Sequence, residues 1–290
     1  MTPYFTSGVA RNLVSWRTSV TEPHNRFAMS YQFLDVTMQG HITRITMNRP
    51  EVLNALHTAM HDEMQAALDA FAADGEQWIG VITGAGSRAF CAGSDLKAAA
   101  MTSISAKQYP KHGYAGLIGR YDLNKPLIAA VNGVAMGGGF EVALACDIIV
   151  AADTARFGLP EPLVGAVALG GGMHRLARQI GLKQAMGMIL GAEAVSAAEG
   201  MRLGFVNEVV QAADLDAVVS RWCERILRCA PLSIRASKET VLRGLDEPSL
   251  RAAIAEQENY PAYALWRNAA DTVEGPKAFA EKRKPNWLGR

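Results

Sequence analysis

The alternation of apolar and polar positions predicts that the chain begins as an α/β fold. Between residues 33 and 47 apolar and polar side chains roughly alternate, and Gln39-Gly40 divides the stretch in two, which is typical of a β-hairpin. Residues 58–73 place their apolar side chains at helical spacing instead. A mostly apolar run over 79–83 then predicts a buried strand.

The same alternation of elements continues to about residue 213 and then stops. Strands are predicted over 127–131, 147–152 and 206–210, with a helix over 140–146. Strands that alternate with helices indicate a layered α/β core. After about Ala213 the pattern is helical only, with helices predicted over 215–229, 231–243, 249–264 and 273–282.

These patterns divide the chain into an extension (1–28), a core (29–213) and a helical subdomain (214–290). The extension holds Arg11, Arg17 and Arg26 against a single acidic residue, Glu22. Such a composition faintly resembles an organelle transit segment. The preferred interpretation is a dispensable extension, with Met29 as an alternative start.

Composition excludes several classes of function. The 290 residues are 49% hydrophobic and 20% charged, with a net charge of +1, so nothing favours general binding of nucleic acid or of an anionic membrane. No apolar run reaches the roughly 18 residues of a membrane-spanning helix. The four cysteines form no C-x-x-C pair, which favours a reducing, cytoplasmic location.

Three short motifs match known sites but fail in context. Residues 83–89 (TGAGSRA) fit a dinucleotide fingerprint, yet the following residues cannot continue as a helix. Tyr121 and Lys125 have the spacing of a dehydrogenase pair, but Pro126 ends any helix that would align them. His57 and His61 lie four apart on the predicted helix, where a solvated helix face is preferred over a metal site.

Gly137-Gly138-Gly139 and the nearby Glu141 give the clearest sign of chemistry. Glycines at a helix start leave free backbone N–H groups that attract an anion. Glu141 lies one helical turn after Gly138, so its carboxylate is predicted on the same face. A lone carboxylate among apolar residues needs a partner or a shifted pKa.

A second carboxylate, Glu161, lies between two prolines and among apolar residues. Two carboxylates in apolar surroundings suit acid/base chemistry, because burial raises their pKa toward neutrality. The residues alone leave an equal alternative, in which Glu141 and Glu161 pair with arginines such as Arg156 or Arg175.

Four stretches and the C-terminal tail resemble the enoyl-CoA hydratase/isomerase, or crotonase, family. The stretches are residues 48–56 (NRPEVLNAL), 89–97 (AFCAGSDLK), 132–141 (NGVAMGGGFE) and 157–161 (FGLPE), and the tail is 279–284 (FAEKRK). The resemblance implies an α/β spiral of ββα units, a C-terminal helical trimerisation region and assembly into trimers or hexamers. It covers residue 33 to the C-terminus in order.

The resemblance also implies a substrate and the groups that bind it. An acyl-CoA thioester would rest its carbonyl oxygen on the backbone N–H groups of Ser94 and Gly138. Ser94 stands where alanine is frequent in the family. The CoA would follow a path lined by Ala55, Ala92, Ser94, Asp95, Leu96 and Lys97, with Lys282 reaching its phosphates across a subunit boundary. No metal and no separate cofactor are implied, because CoA arrives with the substrate.

The implied reaction is syn addition of water to a 2-enoyl-CoA. Glu141 would activate the water, and Glu161 would transfer the proton at C2. The alternatives are a dehydratase of the carnitinyl-CoA type and a Δ3,Δ2-enoyl-CoA isomerase, which would need Glu161 alone. A homologue that binds RNA without catalysis is disfavoured by the +1 charge.

One position departs from the family pattern. Leu169 stands in residues 168–172 (ALGGG) where hydratases usually have a glycine beside the catalytic water. The N–H is kept, but an isobutyl group is expected near the acyl pocket or its wall. Residues 98–121, including Met101, are predicted to form either a loop or helix close to the substrate or, equally, a plain surface loop. The departure disfavours crotonyl-CoA as the natural substrate.

Overall fold

A computed structural model of the protein describes residues 30–97 and 109–290. The predicted extension 1–28 and the residue Met101 lie outside this part of the chain. None of the helices in the described part combines the length and the apolar character needed to cross a membrane.

The described residues contain ten strands and ten α-helices. The strands are β1 (Leu34–Gln39), β2 (Ile42–Met47), β3 (Ile79–Gly84), β4 (Ala89–Cys91), β5 (Leu127–Val131), β6 (Val134–Met136), β7 (Ile148–Ala152), β8 (Arg156–Gly158), β9 (Val195–Ser196) and β10 (Glu208–Val210). The helices are α1 (Thr58–Ala73), α2 (Gly138–Ala145), α3 (Gly172–Gln179), α4 (Leu182–Gly191), α5 (Ala197–Leu203), α6 (Leu215–Leu227), α7 (Pro231–Gly244), α8 (Leu250–Glu256), α9 (Pro261–Arg267) and α10 (Asp271–Ala280).

The strands form two sheets that the chain visits in turn. The larger sheet has the order β1-β2-β3-β5-β7-β10, and the smaller has the order β4-β6-β8-β9. Except for the β1-β2 and β8-β9 pairs, neighbouring strands are parallel. In each of the successive pairs β3-β4, β5-β6 and β7-β8, the first strand joins the larger sheet and the second joins the smaller sheet. This repetition produces a spiral.

The two faces of the larger sheet bury different clusters. Ile45, Ile82 and Val131 face the main core together with the apolar side of α1 and the apolar residues of α2. Val81 and Val150 point to the other face, where α6 covers them. Because side chains alternate along a strand, one run of β-branched residues supplies both layers.

Most elements predicted from the pattern are confirmed. The hairpin forms with its turn at Gln39-Gly40, and α1 has the predicted bounds. The strands over 79–83, 127–131, 147–152 and 206–210 and the helix over 140–146 are present with small shifts of their ends. After β10 the described elements are all helical.

The prediction of one helix over 249–264 is wrong. Ser249 caps α8 by accepting a hydrogen bond from the Ala252 N–H at 3.2 Å, but α8 ends at Glu256 and a separate helix begins at Pro261. Proline has no N–H for the helix interior, and it forces the preceding Tyr260 into an extended conformation, with ψ of 138°. Pro261 therefore starts a helix instead of continuing one.

Candidate active site

The loop that carries Ser94 lies against the start of α2. A Cβ added to Gly93 would lie 2.8 Å from the Met136 carbonyl oxygen and 3.2 Å from the Gly138 nitrogen. Gly93 also has a φ of 94°, which disfavours any residue with a side chain. The structure thus brings together the two residues, Ser94 and Gly138, whose amides were predicted to share one ligand atom.

The segment around Ala55 runs beside the Ser94 loop. The Leu56 N–H donates to the Gly93 carbonyl at 2.8 Å, and the Asp95 N–H donates to the Leu56 carbonyl at 2.8 Å. The guanidinium of Arg49 ties both segments, because it donates to the Ala55 carbonyl at 2.7 Å and forms an ion pair with Asp95 at 3.1 Å.

Most residues predicted to line the CoA path are therefore grouped in one place. They are Ala55, Ala92, Ser94 and Asp95, followed by the exposed side chains of Leu96 and Lys97. Lys282 is exposed after the end of α10, and no hydrogen bond or ion pair within the described chain links it to this group.

Glu141 lies in the first turn of α2 and is 2% exposed. Its Oε1 accepts a hydrogen bond from the backbone N–H of Gly172 at 2.8 Å. A Cβ on Gly170 or on Gly172 would collide with this carboxylate, so both glycines permit its close approach. Burial raises the pKa of Glu141 to about 7 despite the Gly172 hydrogen bond, and the nearby charge of Glu161 adds to the rise.

Glu161 begins a short 3-10 helix, Glu161–Val164, and its carboxylate lies beside Gly137 at the start of α2. A Cβ on Gly137 would lie 2.9 Å from its Oε1. Its Oε2 is buried and accepts no hydrogen bond from the described residues. Burial raises the pKa of Glu161 as well. Two carboxylates with raised pKa values thus face the same helix terminus.

The alternative in which arginines neutralise the two glutamates is wrong. Arg156 donates to the Ala194 carbonyl at 3.0 Å, and Arg175 donates to the Ile118 carbonyl at 2.7 Å. Neither Glu141 nor Glu161 takes part in an ion pair of the described chain. The charge of Arg175 lowers the pKa of Glu141, but it is the smallest of the causes and burial outweighs it.

The interpretation of His57 and His61 as a solvated helix face is wrong for His61. Its ring is buried at 5% exposure, and Nδ1 accepts a hydrogen bond from the Ala115 N–H at 3.0 Å. The spacing from His61 to Met64, Leu68 and Phe71 places it on the apolar stripe of α1. That spacing was the available signal for its burial.

An aromatic group beside the glutamates was not predicted from the sequence pattern. Tyr114 packs edge-on against His61 with ring centroids 4.5 Å apart, and Tyr109 lies 5.6 Å from Tyr114. The charge of Glu141 raises the pKa of both tyrosines, although burial is the larger cause in each case. Tyr114 lies in the stretch whose pattern of glycines and scattered polar residues predicted only a loop or helix.

The rejected motifs have ordinary structural roles. Residues 83–89 lead into strand β4 and not into a helix. Lys125 is buried and donates through Nζ to the carbonyls of Phe71 and Asp74, both at 2.6 Å, whereas Tyr121 is exposed. In the described residues there is no cluster of His, Cys, Asp and Glu suited to a metal ion.

Leu169 belongs to the loop that supports Glu141. Its own side chain is 73% exposed, while the next residue, Gly170, faces the carboxylate. The effect expected of Leu169 on the acyl pocket therefore stays a prediction.

Comparison with known proteins agrees with this arrangement. The sequence profile of the enoyl-CoA hydratase/isomerase family matches residues 37–290. The chain is 39% identical over 261 residues to a carnitinyl-CoA dehydratase of Proteus mirabilis, covering 89% of this chain and 99% of the relative. It is 40% identical over 262 residues to one of Escherichia coli, covering 89% and 98%.

Solved structures of related enzymes show the same fold. The crystal structure of an enoyl-CoA hydratase from Mycobacterium tuberculosis superposes with a TM-score of 0.82 at 35% identity, over 89% of this chain and 99% of that one. An enoyl-CoA hydratase from Bacillus anthracis gives 0.82 at 32% identity, over 89% and 100%. The fold is therefore the predicted crotonase spiral, and the chain belongs to the enoyl-CoA hydratase/isomerase family.

Proposed function

We propose that the protein catalyses reversible hydration of a 2-enoyl-CoA thioester. The observation that supports this most is the convergence of Glu141 and Glu161 at the start of α2, beside the amides of Ser94 and Gly138. An isomerase needs a single base, whereas addition of water uses one group to accept a proton and another to donate one.

In the hydration direction, ionised Glu141 accepts a proton from water while the water oxygen bonds to C3. The electron pair of the C2–C3 double bond moves toward the thioester, whose oxygen becomes an enolate oxyanion. The N–H groups of Ser94 and Gly138 stabilise that charge, as preorganised donors do in acyl-transfer sites. Protonated Glu161 then donates its proton to C2, and a proton passes from Glu141 to Glu161 to restore both.

The proposed roles agree with the surroundings of the two carboxylates. Glu141 is oriented by the Gly172 N–H, which supports its use as an ionised base. Glu161 has a buried oxygen without a hydrogen bond in the described chain and a raised pKa, which supports its use as an acid. Both carboxylates reach the same helix terminus. The hydroxyl group at C3 and the proton at C2 are therefore expected to add to the same face of the double bond.

Elimination of water from a 3-hydroxyacyl-CoA is the same reaction in reverse and uses the same groups. The relatives named carnitinyl-CoA dehydratase, at 39–40% identity, favour a substituted acyl group as the second candidate. A panel of acyl-CoA thioesters that vary in chain length, branching and polarity separates the candidates.

The decisive experiment compares the wild type with Glu141→Gln and Glu161→Gln. We expect the wild type to hydrate at least one 2-enoyl-CoA, and each variant to lose most of its turnover while still binding the thioester. A Glu141→Gln variant that keeps most of its turnover would refute the role of this residue.

Conversion of a 3-enoyl-CoA to the conjugated thioester, without hydration, would identify an isomerase instead. Salt-sensitive retention of RNA with no turnover would indicate a noncatalytic protein.

We further propose that the CoA moiety follows Ala55 and residues 92–97, with Lys282 of a neighbouring copy near its phosphates. The exposed position of Lys282 after α10 supports a contact outside its own chain. Replacing Lys282 with Met should raise KM for the thioester and leave kcat nearly unchanged, because the proposed contact is with the CoA phosphates and not with the acyl group.

A further inference from the structure

The phenol of Tyr114 lies where the two predicted amide donors meet. A Cβ on Gly138 would overlap Cζ and Oη of Tyr114, so the end of the ring rests directly on the backbone of Gly138. On its other side, the phenol oxygen is 3.2 Å from Oγ of Ser94. The hydroxyl of Tyr114 therefore sits between the two residues proposed to hold the thioester oxygen.

The hydrogen bonds of this hydroxyl leave one proton unused. Tyr114 is 4% exposed, and a hydroxyl buried to that degree is costly without a partner. Within the described chain its hydrogen bond is the one with Ser94, and either oxygen can donate. Each hydroxyl carries one proton, so a single bond between them uses one of two. When Ser94 donates, the phenol proton is available to a third acceptor.

The turn that carries Tyr114 is fixed to α1. The N–H of Ala115 donates to Nδ1 of His61, and Ala115 has a φ of 54°, a left-handed conformation that is uncommon for alanine. A Cβ on Gly116 would overlap Gln65, so this side of the turn lies directly on the helix. Residues held in such conformations tend to occur at functional sites, where position matters more than local stability.

The phenol also keeps its proton over the working range of pH. Burial raises the pKa of Tyr114 well above its ordinary value of 10.0, and the charge of nearby Glu141 contributes to the rise. A protonated phenol is a hydrogen-bond donor and carries no charge that would oppose an anion forming beside it.

We propose that Tyr114 donates a third hydrogen bond to the thioester oxygen as that oxygen becomes an enolate. The side chain of Ser94 acts as a positioning residue, because it donates to the phenol oxygen and so directs the phenol proton toward the substrate. The proton stays on Tyr114 throughout, and no covalent bond to the protein forms. This inference rests on the proposed function and adds a side-chain donor to the two backbone amides.

The test compares Tyr114→Phe and Ser94→Ala with the wild type on the 2-enoyl-CoA that the wild type hydrates best. For Tyr114→Phe we expect kcat to fall about 10- to 100-fold with KM changed by less than about threefold, since the lost bond forms mainly in the transition state. Ser94→Ala should lower kcat less, because the donor remains and only its orientation is lost. Tyr121→Phe, which removes an exposed phenol, is the matched control.

A second measurement reports on the hydrogen bond without turnover. In the Glu141→Gln background, a bound conjugated enoyl-CoA should show a red-shifted absorption band, because donors to the carbonyl oxygen polarise the conjugated system. Adding Tyr114→Phe should reduce that shift, whereas adding Tyr121→Phe should not.

The outcomes separate this inference from the proposed function. If the wild type hydrates the substrate, and Tyr114→Phe keeps its kcat and the full spectral shift, the role of Tyr114 is wrong while hydration stands. If Tyr114→Phe raises KM alone, the phenol binds the acyl group in the ground state and does not stabilise the enolate. If the wild type neither hydrates nor polarises any enoyl-CoA, both proposals fail.

Discussion

Oε1 of Glu141 accepts its hydrogen bond from the N–H of Gly172, the first residue of α3, at 2.8 Å. Glu141 itself lies in the first turn of α2, so two helix N-termini converge on one carboxylate. Backbone N–H groups and the positive ends of helix dipoles favour its ionised form, whereas burial opposes it. The balance leaves the pKa of Glu141 at about 7, close to neutral pH.

This balance predicts that Glu141 destabilises the folded protein at alkaline pH. Its folded pKa of about 7 lies above the value of 4.5 expected when unfolded. Between these values the folded state binds more protons than the unfolded state, so this group lowers the free energy of unfolding as pH rises. Glu141→Gln removes the penalty and should be more stable than the wild type by roughly 3 kcal/mol at pH 8.

Thermal and urea unfolding at several pH values measure this difference. The gain in Glu141→Gln should shrink as pH falls from about 7 and vanish only below about 4.5, where the unfolded as well as the folded wild type becomes protonated. Glu51→Gln, which changes an exposed glutamate, should show no such gain. A Glu141→Gln protein that is less stable than the wild type at pH 8 would contradict the assignment.

The same pKa predicts the pH dependence of hydration. Because Glu141 must be ionised to accept the proton of water, kcat/KM should rise with pH through a midpoint near about 7 in the free enzyme. The proposed acid, Glu161, whose pKa is raised by burial, should add a falling limb to the profile where it loses its proton. A profile with its acidic midpoint near 4.5 would mean that Glu141 is solvated in the free enzyme.

Local pattern was sufficient to predict the hairpin and α1, which bury one face with a clear period, and the inner strands of the larger sheet, which are short apolar runs buried on both faces. The smaller sheet was missed, since its strands contain only two or three residues and carry no period. Helices α3 to α5 were missed as well. The stretch around α3, which includes Gly170 and Gly172, has a composition that predicts a loop until its contact with Glu141 is known.

The candidate site was predictable where a motif carried it and not elsewhere. The glycines before α2 and the two glutamates are local signals, and the structure brings them together. The hydrogen bond from Gly172 joins residues 31 positions apart, so no local pattern could indicate it. Tyr114 depends on a turn held by His61 across 54 positions. Such contacts arise only from the tertiary fold.

The close contact between Gly170 and Glu141 predicts the effect of a small substitution. A Cβ at residue 170 would overlap Oε2 and approach Cδ of Glu141 to 2.7 Å, so Gly170→Ala must displace the carboxylate. We expect hydration to fall at least 10-fold, because misplacing a reacting group by about 1 Å costs up to about 10²-fold in rate. Steady-state kinetics with circular dichroism distinguishes this loss from unfolding.

Gly75→Ala is the matched control for that substitution. A Cβ at residue 75 would meet nothing within 4 Å, and this glycine does not have a positive φ. Its activity should equal that of the wild type. If Gly170→Ala is as active as Gly75→Ala, the carboxylate of Glu141 is not held where the reaction needs it.

The helices after β10 predict that the chain assembles. Their described surface exposes large apolar side chains that a lone subunit would leave in water: Leu245, Leu250, Ile254, Leu265, Val273 and Phe279. We expect light scattering coupled to size exclusion to give three or six times the subunit mass of 31.1 kDa.

The double substitution of Leu250 and Ile254 by Glu should lower that mass, because both side chains lie on one face of α8. The double substitution of Arg251 and Ala255 by Glu, at the adjacent exposed positions, should leave it unchanged. A wild type that elutes at 31.1 kDa would show that the apolar surface is not used for self-association.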